Sequence, residues 1–382
     1  MKILVLTHEF PPVGGGGARV IQDLCRGLSE SGHELRVLTT HLEGLPQEEQ
    51  LDGVRIVRIP CGRKVPYRAR LVEMARFVAG GFLTGMRAML SWRPDVIHVH
   101  FAVPAGALGW LLSALTGVPY VLTAHGGDVP DGAPEKTAGW FKWIYPFTHP
   151  IWRRAARIAA VSEQTRQLAL RHYPVEISVI RNGFDFQALN PGQIQLGDPP
   201  RVIWAGRFMP EKNPIQVVRT LHGLRELAWT CVMIGDGPEK EPVEREIAQL
   251  GLGNRFTVTG WLTQGEVMDW FAKSDVLFMP SFMEGLPIVG LQGLAMGLAI
   301  VATRVGGFLD LVEPGSNGYL VDNPNGDGFC EPLRNLLTDT LQLKACRESS
   351  RLVASRFDIR LMIRAYDELL TGAVQSEVVA NA

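Results

Sequence analysis

The residues best suited to chemistry lie on two short stretches: Glu284 in 280-PSFMEGLPIVG, and Arg207 with Lys212 in 205-AGRFMPEKN. Glu284 sits on a turn bearing Pro, Ser and Gly. The turn follows the apolar run 275-DVLFM and leads into a small-residue helix that feeds a second apolar run, 299-AIVAT. Such a turn presents backbone N–H groups at a helix N-terminus, where unpaired donors and the partial positive charge of aligned peptides hold an anion, phosphate above all. Glu284 cannot itself bind phosphate, so it calls for a ligand with hydroxyls or positive charge. A sugar nucleotide offers both phosphates and hydroxyls. Arg207 and Lys212 follow the run 201-RVIWAG and suit a diphosphate, each charge-assisted contact contributing ~1.5–3 kcal/mol. Two charges of this kind are often only a solvated surface. Parallel topology brings both stretches to one sheet edge and favours a site.

A further candidate, His125 in 123-TAHGGD, stands where an apolar run ends, beside two glycines and Asp128. The glycines favour a ligand-facing histidine over a structural one. Gly14 to Gly17 follow the first apolar run and precede the helical pattern 18-ARVIQDLCRGLSESG, in a place where glycine lets backbone approach a phosphate closely. A plain flexible turn would look the same. Gly14 and Gly16 would begin a dinucleotide fingerprint, but Arg19 stands where its third glycine belongs, which disfavours a dinucleotide-dependent oxidoreductase. The sequence has no DxD, HExxH, GxxxxGK[ST] or GxSxG, so a metal-dependent, NTP-hydrolysing or serine-nucleophile mechanism has no support.

Short apolar runs separated by stretches of helix length must position these residues. The runs 2-KILVLT, 34-ELRVLTT, 54-VRIVRI, 95-DVIHVHF, 119-PYVLTA, 157-RIAAV and 177-ISVIR read as strands of a parallel, doubly wound sheet. A second series, 201-RVIWAG, 228-AWTCVMIG, 255-RFTVTG, 275-DVLFM, 299-AIVAT and 318-GYLV, builds another. Ligands of such sheets lie beyond the carboxyl ends of the strands, where the candidate residues fall. Between the series, 190-NPGQIQLGDPP lacks periodicity and reads as a linker. The expected domains are 1–188 and 189–356, with a C-terminal helix over about 357–372 packing back on the first and a frayed tail from 371.

At 382 residues the chain has room for two cores. A net charge of −1 excludes bulk attraction to nucleic acid, and five cysteines without paired spacing fit a reduced, cytoplasmic protein. The uncharged stretch from Phe101 to Ala124 is long enough to span a bilayer, but Pro104 and 117-GVP cut it into a helix of about three turns and a strand. The segment 136–157 interleaves Trp140, Phe141, Trp143, Tyr145, Phe147 and Trp152 with Lys136, Lys142, Arg153, Arg154 and Arg157. It reads either as core aromatics with a snorkelling basic fringe or as a peripheral contact with an anionic membrane, to which the basic run Arg63, Lys64, Arg68, Arg70 and Arg76 in 63–76 would add.

Taken together the motifs resemble those of the retaining glycosyltransferases of family 4, the glycosyl transferases group 1. The resemblance covers nearly the whole chain: 10-FPPVGGGGARV, 29-SESGHELRVLTT, 94-PDVIHVH, 123-TAHGGD, 160-AVSEQTR, 179-VIRNGFD, 205-AGRFMPEKN, 234-IGDGP, 260-GW and 280-PSFMEGLPIVGLQGLAMGLAIVATRVGG. It implies a GT-B fold, two Rossmann-like doubly wound domains facing a central cleft. It also implies hexosyl transfer from a UDP- or GDP-sugar to a hydroxyl of a sugar or lipid-linked acceptor, in glycan, glycolipid or cell-envelope polysaccharide synthesis. Neither metal nor cofactor is implied, the nucleotide sugar being a co-substrate.

By the same resemblance Arg207 and Lys212 bind the donor diphosphate, and Glu284 contacts the transferred sugar with the backbone of Gly285, Leu286 and Pro287. His125 lies near the donor sugar, and Gly16 and Gly17 approach the donor phosphates. One position departs: the second glutamate of the family's E-x7-E motif falls on Gln292, which keeps one carbonyl acceptor but no charge. A sugar-nucleotide epimerase or hydrolase, or a non-catalytic nucleotide-sugar-binding subunit, are the alternatives.

Overall fold

A computed structural model describes residues 1–66, 69–130, 141–186 and 191–380, without the side chains of 141, 142 and 377–380. Lys136 and Trp140, the side chains of Phe141 and Lys142, Arg68 and the expected boundary at 188 lie outside these residues. The chain divides into two units, one of Met1–Gly183 with Ile359–Ala382, the other of Phe184–Asp358.

Among the described residues the first unit contains β1 (Lys2–Leu6), β2 (Glu34–Leu42), β3 (Glu48–Leu51), β4 (Val54–Arg63), β5 (Val96–His100), β6 (Tyr120–Ala124), β7 (Arg157–Ala160) and β8 (Ser178–Val179). Their order across the sheet is β3-β4-β2-β1-β5-β6-β7-β8, parallel except for β3. Strands covered on both faces need apolar residues at every position, which is why 3-ILVL and 120-YVLTA are continuous buried runs. Strand order reverses between β1 and β5, where Ile3 pairs with Val96, so the loops after these two strands diverge and leave a crevice.

The antiparallel edge strand β3 is absent from the sequence expectation because its residues, 48-EEQL, are polar. Its signal lies in the turn. Asp52 and Gly53 have φ of 50° and 78°, the pair of positive values that a two-residue hairpin matching strand twist requires.

The helix Ile359–Ala380 packs against the first unit and runs well past the expected end at about 372. Leu370 and Ala373 are buried on one stripe, and Arg157 Nη2 donates to Ser376 Oγ at 2.7 Å, so the helix is held as far as Ser376, within the segment expected to fray.

The second unit contains β9 (Arg201–Ala205), β10 (Thr230–Ile234), β11 (Phe256–Val258), β12 (Val276–Met279), β13 (Ala299–Thr303) and β14 (Gly318–Val321). The order is β11-β10-β9-β12-β13-β14, all parallel, and it reverses between β9 and β12.

The amino ends of these strands are tied by one buried ion pair. Arg347 Nη1 and Asp275 Oδ1 are 2.5 Å apart with side chains 2% and 1% exposed. Arg347 also donates to Gly297 O and Gln195 O, while Asp275 accepts from the Arg201 and Gly197 amides. The described part of the expected linker is therefore bound onto this unit, with Arg351 donating to Gly192 O as well. Removing one partner of a buried pair leaves an uncompensated charge, so Arg347→Met should destabilise the second unit by about 3–5 kcal/mol. Denaturant unfolding should show that unit's transition moving to lower denaturant while the other holds; unchanged transitions would refute the tie.

Candidate active site

The reversal between β9 and β12 places the loops that follow them side by side, and these loops carry Arg207, Lys212 and Glu284. Arg207 is half-buried in a loop pinned to its neighbour: Gly206 N donates to Ile234 O and Phe208 N to Asp236 O, both at 2.9 Å. Lys212 ends the 3-10 turn Pro210–Lys212. Asn213, at φ 50°, follows it and donates its side-chain amide to Pro324 O at 2.8 Å. Phe282 N donates to Glu211 O at 2.9 Å, clamping the two loops backbone to backbone.

Glu284 has its side chain 5% exposed, and a charge so placed must be paired. Lys212 Nζ donates to both carboxylate oxygens at 2.6 Å, and Ser281 Oγ donates to Oε1 at 2.8 Å. A lysine ammonium has three protons and each carboxylate oxygen two acceptor sites. One Lys212 proton and one Oε2 site thus remain for a ligand, the first suited to phosphate and the second to a hydroxyl.

The backbone below Glu284 is held by the loop after β13. Gly306, at φ +58°, lies so close that a Cβ there would come 1.8 Å from Glu284 O, and Gly307 N donates to Gly285 O. Gly285, Leu286 and Pro287 continue the turn into the helix Ile288–Met296, whose N-cap is Pro287 and whose first turn holds no acid. The N–H groups at such an end have no partner within the helix. Gln292 is half-buried one turn further along.

The first unit brings together the other candidates. Gly16 and Gly17 open the helix Gly16–Glu30, so two of the four expected loop glycines belong to its first turn. A Cβ on Gly17 would lie 3.8 Å from His125 Nδ1 and 3.7 Å from Phe101 Cζ. The His125 ring stacks on Phe101 at 4.3 Å between centroids and shares a hydrogen bond between Nε2 and His100 Nδ1 at 3.1 Å. The ring is therefore enclosed on one face and one edge, with Nδ1 on the Gly17 side. Buried Asp128 joins the loops after β5 and β6, accepting from Ala102 N at 2.7 Å and His125 N at 2.9 Å.

His98 continues the cluster, sharing a hydrogen bond with Thr123 Oγ1 and lying 5.2 Å from the Tyr366 ring of the C-terminal helix. Burial, with His125 nearby, pushes His98 down to about 3, and burial followed by His8 does the same to His125. His8, after β1, is lowered to about 4 chiefly by burial, and His100 falls well below the usual value for the same reason. All four rings are uncharged at neutral pH.

Sequence reasoning missed Ser281, Phe101, His100 and the clamp between Phe282 and Glu211. Phe101, His100 and the clamp had no local signal, since each acts through a partner distant in the chain, whereas Ser281 lies on the same turn as Glu284. Gly306 and Gly307 were visible as 306-GG after an apolar run, but their contact with Glu284 was not.

Two parallel-sheet α/β units, each with its candidate residues beside a strand-order reversal, are the architecture of GT-B glycosyltransferases. Sucrose-phosphate synthase from Thermosynechococcus elongatus superposes with a TM-score of 0.85 at 19% identity, over 100% of this chain and 100% of that one. Anabaena Alr3699/HepE in complex with UDP-glucose gives 0.76 at 21%, over 97% and 99%.

Residues 15–183 match the family described as glycosyl transferase 4-like domain, and residues 187–353 match glycosyl transferases group 1. Over 348 residues the chain is 29% identical to the 2-deoxystreptamine N-acetyl-D-glucosaminyltransferase of Streptomyces fradiae, covering 84% of this chain and 81% of that protein. The chain belongs to the group 1 glycosyltransferases, family 4.

Two outcomes test the geometry. Lys212→Met strands the buried carboxylate of Glu284 and should cost about 2–3 kcal/mol, discounted for the partial exposure of Lys212, while adding Glu284→Gln should restore most of it. Equal unfolding midpoints for single and double variants would contradict the pairing. The histidines supply the second outcome. Each ring titrates near 6.5 when unfolded and far lower when folded, so below about pH 6.5 the unfolded chain binds more protons. Stability should fall as pH drops towards 4, by about 1.4 kcal/mol per pH unit and ring. His98→Gln should flatten the dependence of the unfolding midpoint over about pH 7 to 5, and an unaltered slope would rule out His98 as a contributor.

Proposed function

We propose that the chain transfers a hexosyl group from a UDP- or GDP-sugar to an acceptor hydroxyl with retention of anomeric configuration. The observation that carries this reading is the Lys212–Glu284 pair beside the Arg207 loop. It offers fixed cations for a diphosphate and a buried carboxylate for sugar hydroxyls at one strand-order reversal. Support comes from the Streptomyces fradiae relative, by name an N-acetyl-D-glucosaminyltransferase, and from the Anabaena structure solved with UDP-glucose.

In the proposed reaction the acceptor oxygen attacks the anomeric carbon from the side on which the diphosphate departs, through an oxocarbenium-like state. The new C–O bond forms as the bond to the phosphate oxygen breaks. The electron pair leaves with the diphosphate, which takes the acceptor's proton. Arg207, Lys212 and the helix N-terminal amides bind the leaving group more strongly as its charge grows, which is where the rate is gained. No metal or other cofactor is assigned a step.

Glu284, oriented by Lys212 and Ser281, holds the sugar hydroxyls, with the backbone of Gly285, Leu286 and Pro287 beside it. His125 is assigned to the donor sugar, Gly16 and Gly17 to the donor phosphates, and Gln292 to the ribose. The acceptor is a sugar or lipid-linked sugar of a glycan, glycolipid or cell-envelope polysaccharide, met in the cytoplasm or on the cytoplasmic face of the membrane.

A thermal-shift screen of sugar nucleotides identifies the donor, because a ligand bound only by the folded chain raises its apparent stability. With that donor, Arg207→Ala should lower kcat by roughly 10²-fold, as loss of other pre-placed donors does. Glu284→Gln should lower kcat, whereas Gln292→Ala should raise KM with little change in kcat. Full turnover by Arg207→Ala would remove it from the mechanism. Free sugar or an epimer formed from donor alone, without transfer, would replace the reading with hydrolysis or epimerisation.

A further inference from the structure

The sequence alone leaves two readings of the aromatic and basic segment, and the structure divides it between them. Trp152 is fully buried and stacks on Tyr173 at 4.4 Å. Trp143 and Phe147, one helical turn apart on Phe141–Arg154, are 81% and 76% exposed. The basic run divides as well. Arg63 is buried and donates to His8 O, Val65 O and Pro66 O, so it is a structural cation and not a surface charge.

The helix Phe141–Arg154 belongs to a layer. With Leu71–Ser91 and Ala107–Thr116 it covers one face of the first sheet, burying Phe77, Met89, Leu108, Leu112, Ile151 and Trp152 against it. Residues on the opposite side of these helices point away from the sheet. There Leu83, Leu90 and Leu115 are largely exposed, as Trp143 and Phe147 are. Exposed apolar side chains scattered singly are ordinary, but a group spread over three adjacent helices is a surface patch.

The charge on this face has one sign. Arg76, Arg87, Arg153 and Arg154 are exposed, and the single acid in the three helices, Glu73, is buried where it caps its own helix through Arg70 N. In a chain with 38 basic and 39 acidic residues, these three helices thus carry no exposed carboxylate. Apolar side chains with an arginine fringe and no carboxylate complement an interface of acyl chains beneath anionic headgroups.

We infer that the outer face of this three-helix layer docks peripherally on a lipid bilayer bearing anionic headgroups. Trp143 and Phe147 enter the headgroup boundary while Arg76, Arg87, Arg153 and Arg154 meet the lipid phosphates. The inference deepens the proposed use of a lipid-linked acceptor and rests on it only for its purpose.

The test is flotation of the full chain, without donor or acceptor, with vesicles of phosphatidylglycerol and phosphatidylcholine in equal parts, against phosphatidylcholine alone. The chain should float with the anionic vesicles and stay behind with the neutral ones. Trp143→Glu with Phe147→Glu should weaken flotation at least about tenfold, and each of Arg153→Glu and Arg154→Glu about fivefold or more. Both residue pairs are surface-exposed, so unchanged circular dichroism and unchanged donor-induced thermal stabilisation should accompany the loss. A chain that stays behind with anionic vesicles, or variants that float like the parent, would overturn the docking. So would a dimer that the Trp143 and Phe147 substitutions dissociate, since the face would then belong to a second copy. Donor binding is measured apart from vesicles, so failure here leaves the transfer reaction standing, and loss of the transfer reading leaves flotation readable.

Discussion

A carboxylate shut away from water has to be answered by charge, and the second unit is arranged around that demand. Glu284 is answered by Lys212 and Ser281, but 72 residues separate Lys212 from Glu284, so the pair exists only because β9 and β12 are neighbours. Strand-order reversal makes them neighbours and puts their following loops at the carboxyl edge of the sheet, where ligands of such sheets bind. The clamp from Phe282 N to Glu211 O and the close approach of Gly306 to the Glu284 backbone fix the distance. A charge pair so held has given up most of its freedom, so the donor binding proposed for it would require less ordering.

The first unit meets its own buried polar groups differently. Beside the buried Arg58, paired with Glu49, and the buried Arg63, it uses a line of groups that can be neutral. His98, His100 and His125 form a contiguous line of rings running from beneath Tyr366 to the Gly17 side of the loop after β6. Neutral imidazole can be buried at a fraction of the cost of an ion, and His98 and His100 each use one ring nitrogen for a hydrogen bond, to Thr123 and His125. The consequence is a ring at His125 whose orientation is set through His100, Phe101 and Asp128. Its electrostatic contribution to a ligand is then that of an oriented dipole.

Much of this was legible in the sequence and some was not, for physical reasons. Parallel strands buried on both faces are continuous apolar runs, so thirteen of the strands are visible as such, whereas β3 is polar and betrayed only by Asp52-Gly53. Glu284, Arg207 and Lys212 could be placed at one sheet edge because topology follows from the alternation of elements. That Lys212 binds Glu284 could not, since nothing local in either stretch records the other. Composition likewise showed that residues 141–157 mix aromatics and arginines, but only the helix's orientation on the sheet shows that Trp152 faces in while Trp143 and Phe147 face out.

Net charge is the least informative of the sequence quantities here, and the reason is the range over which charge acts. A chain of formal charge −1 seen from many Debye lengths away attracts nothing, but at physiological salt that length is only about 8 Å. Within it, a surface responds to the side chains it faces and not to the sum over 382 residues. Four exposed arginines on three helices whose single acid is buried give that face a local charge that a total cannot express. Apolar side chains on the same layer make the preference short-ranged as well as electrostatic, because their burial counts only at contact. Orientation, then, is set by the fold, which decides which side of each helix the sheet covers, and composition supplies only the residues to be sorted.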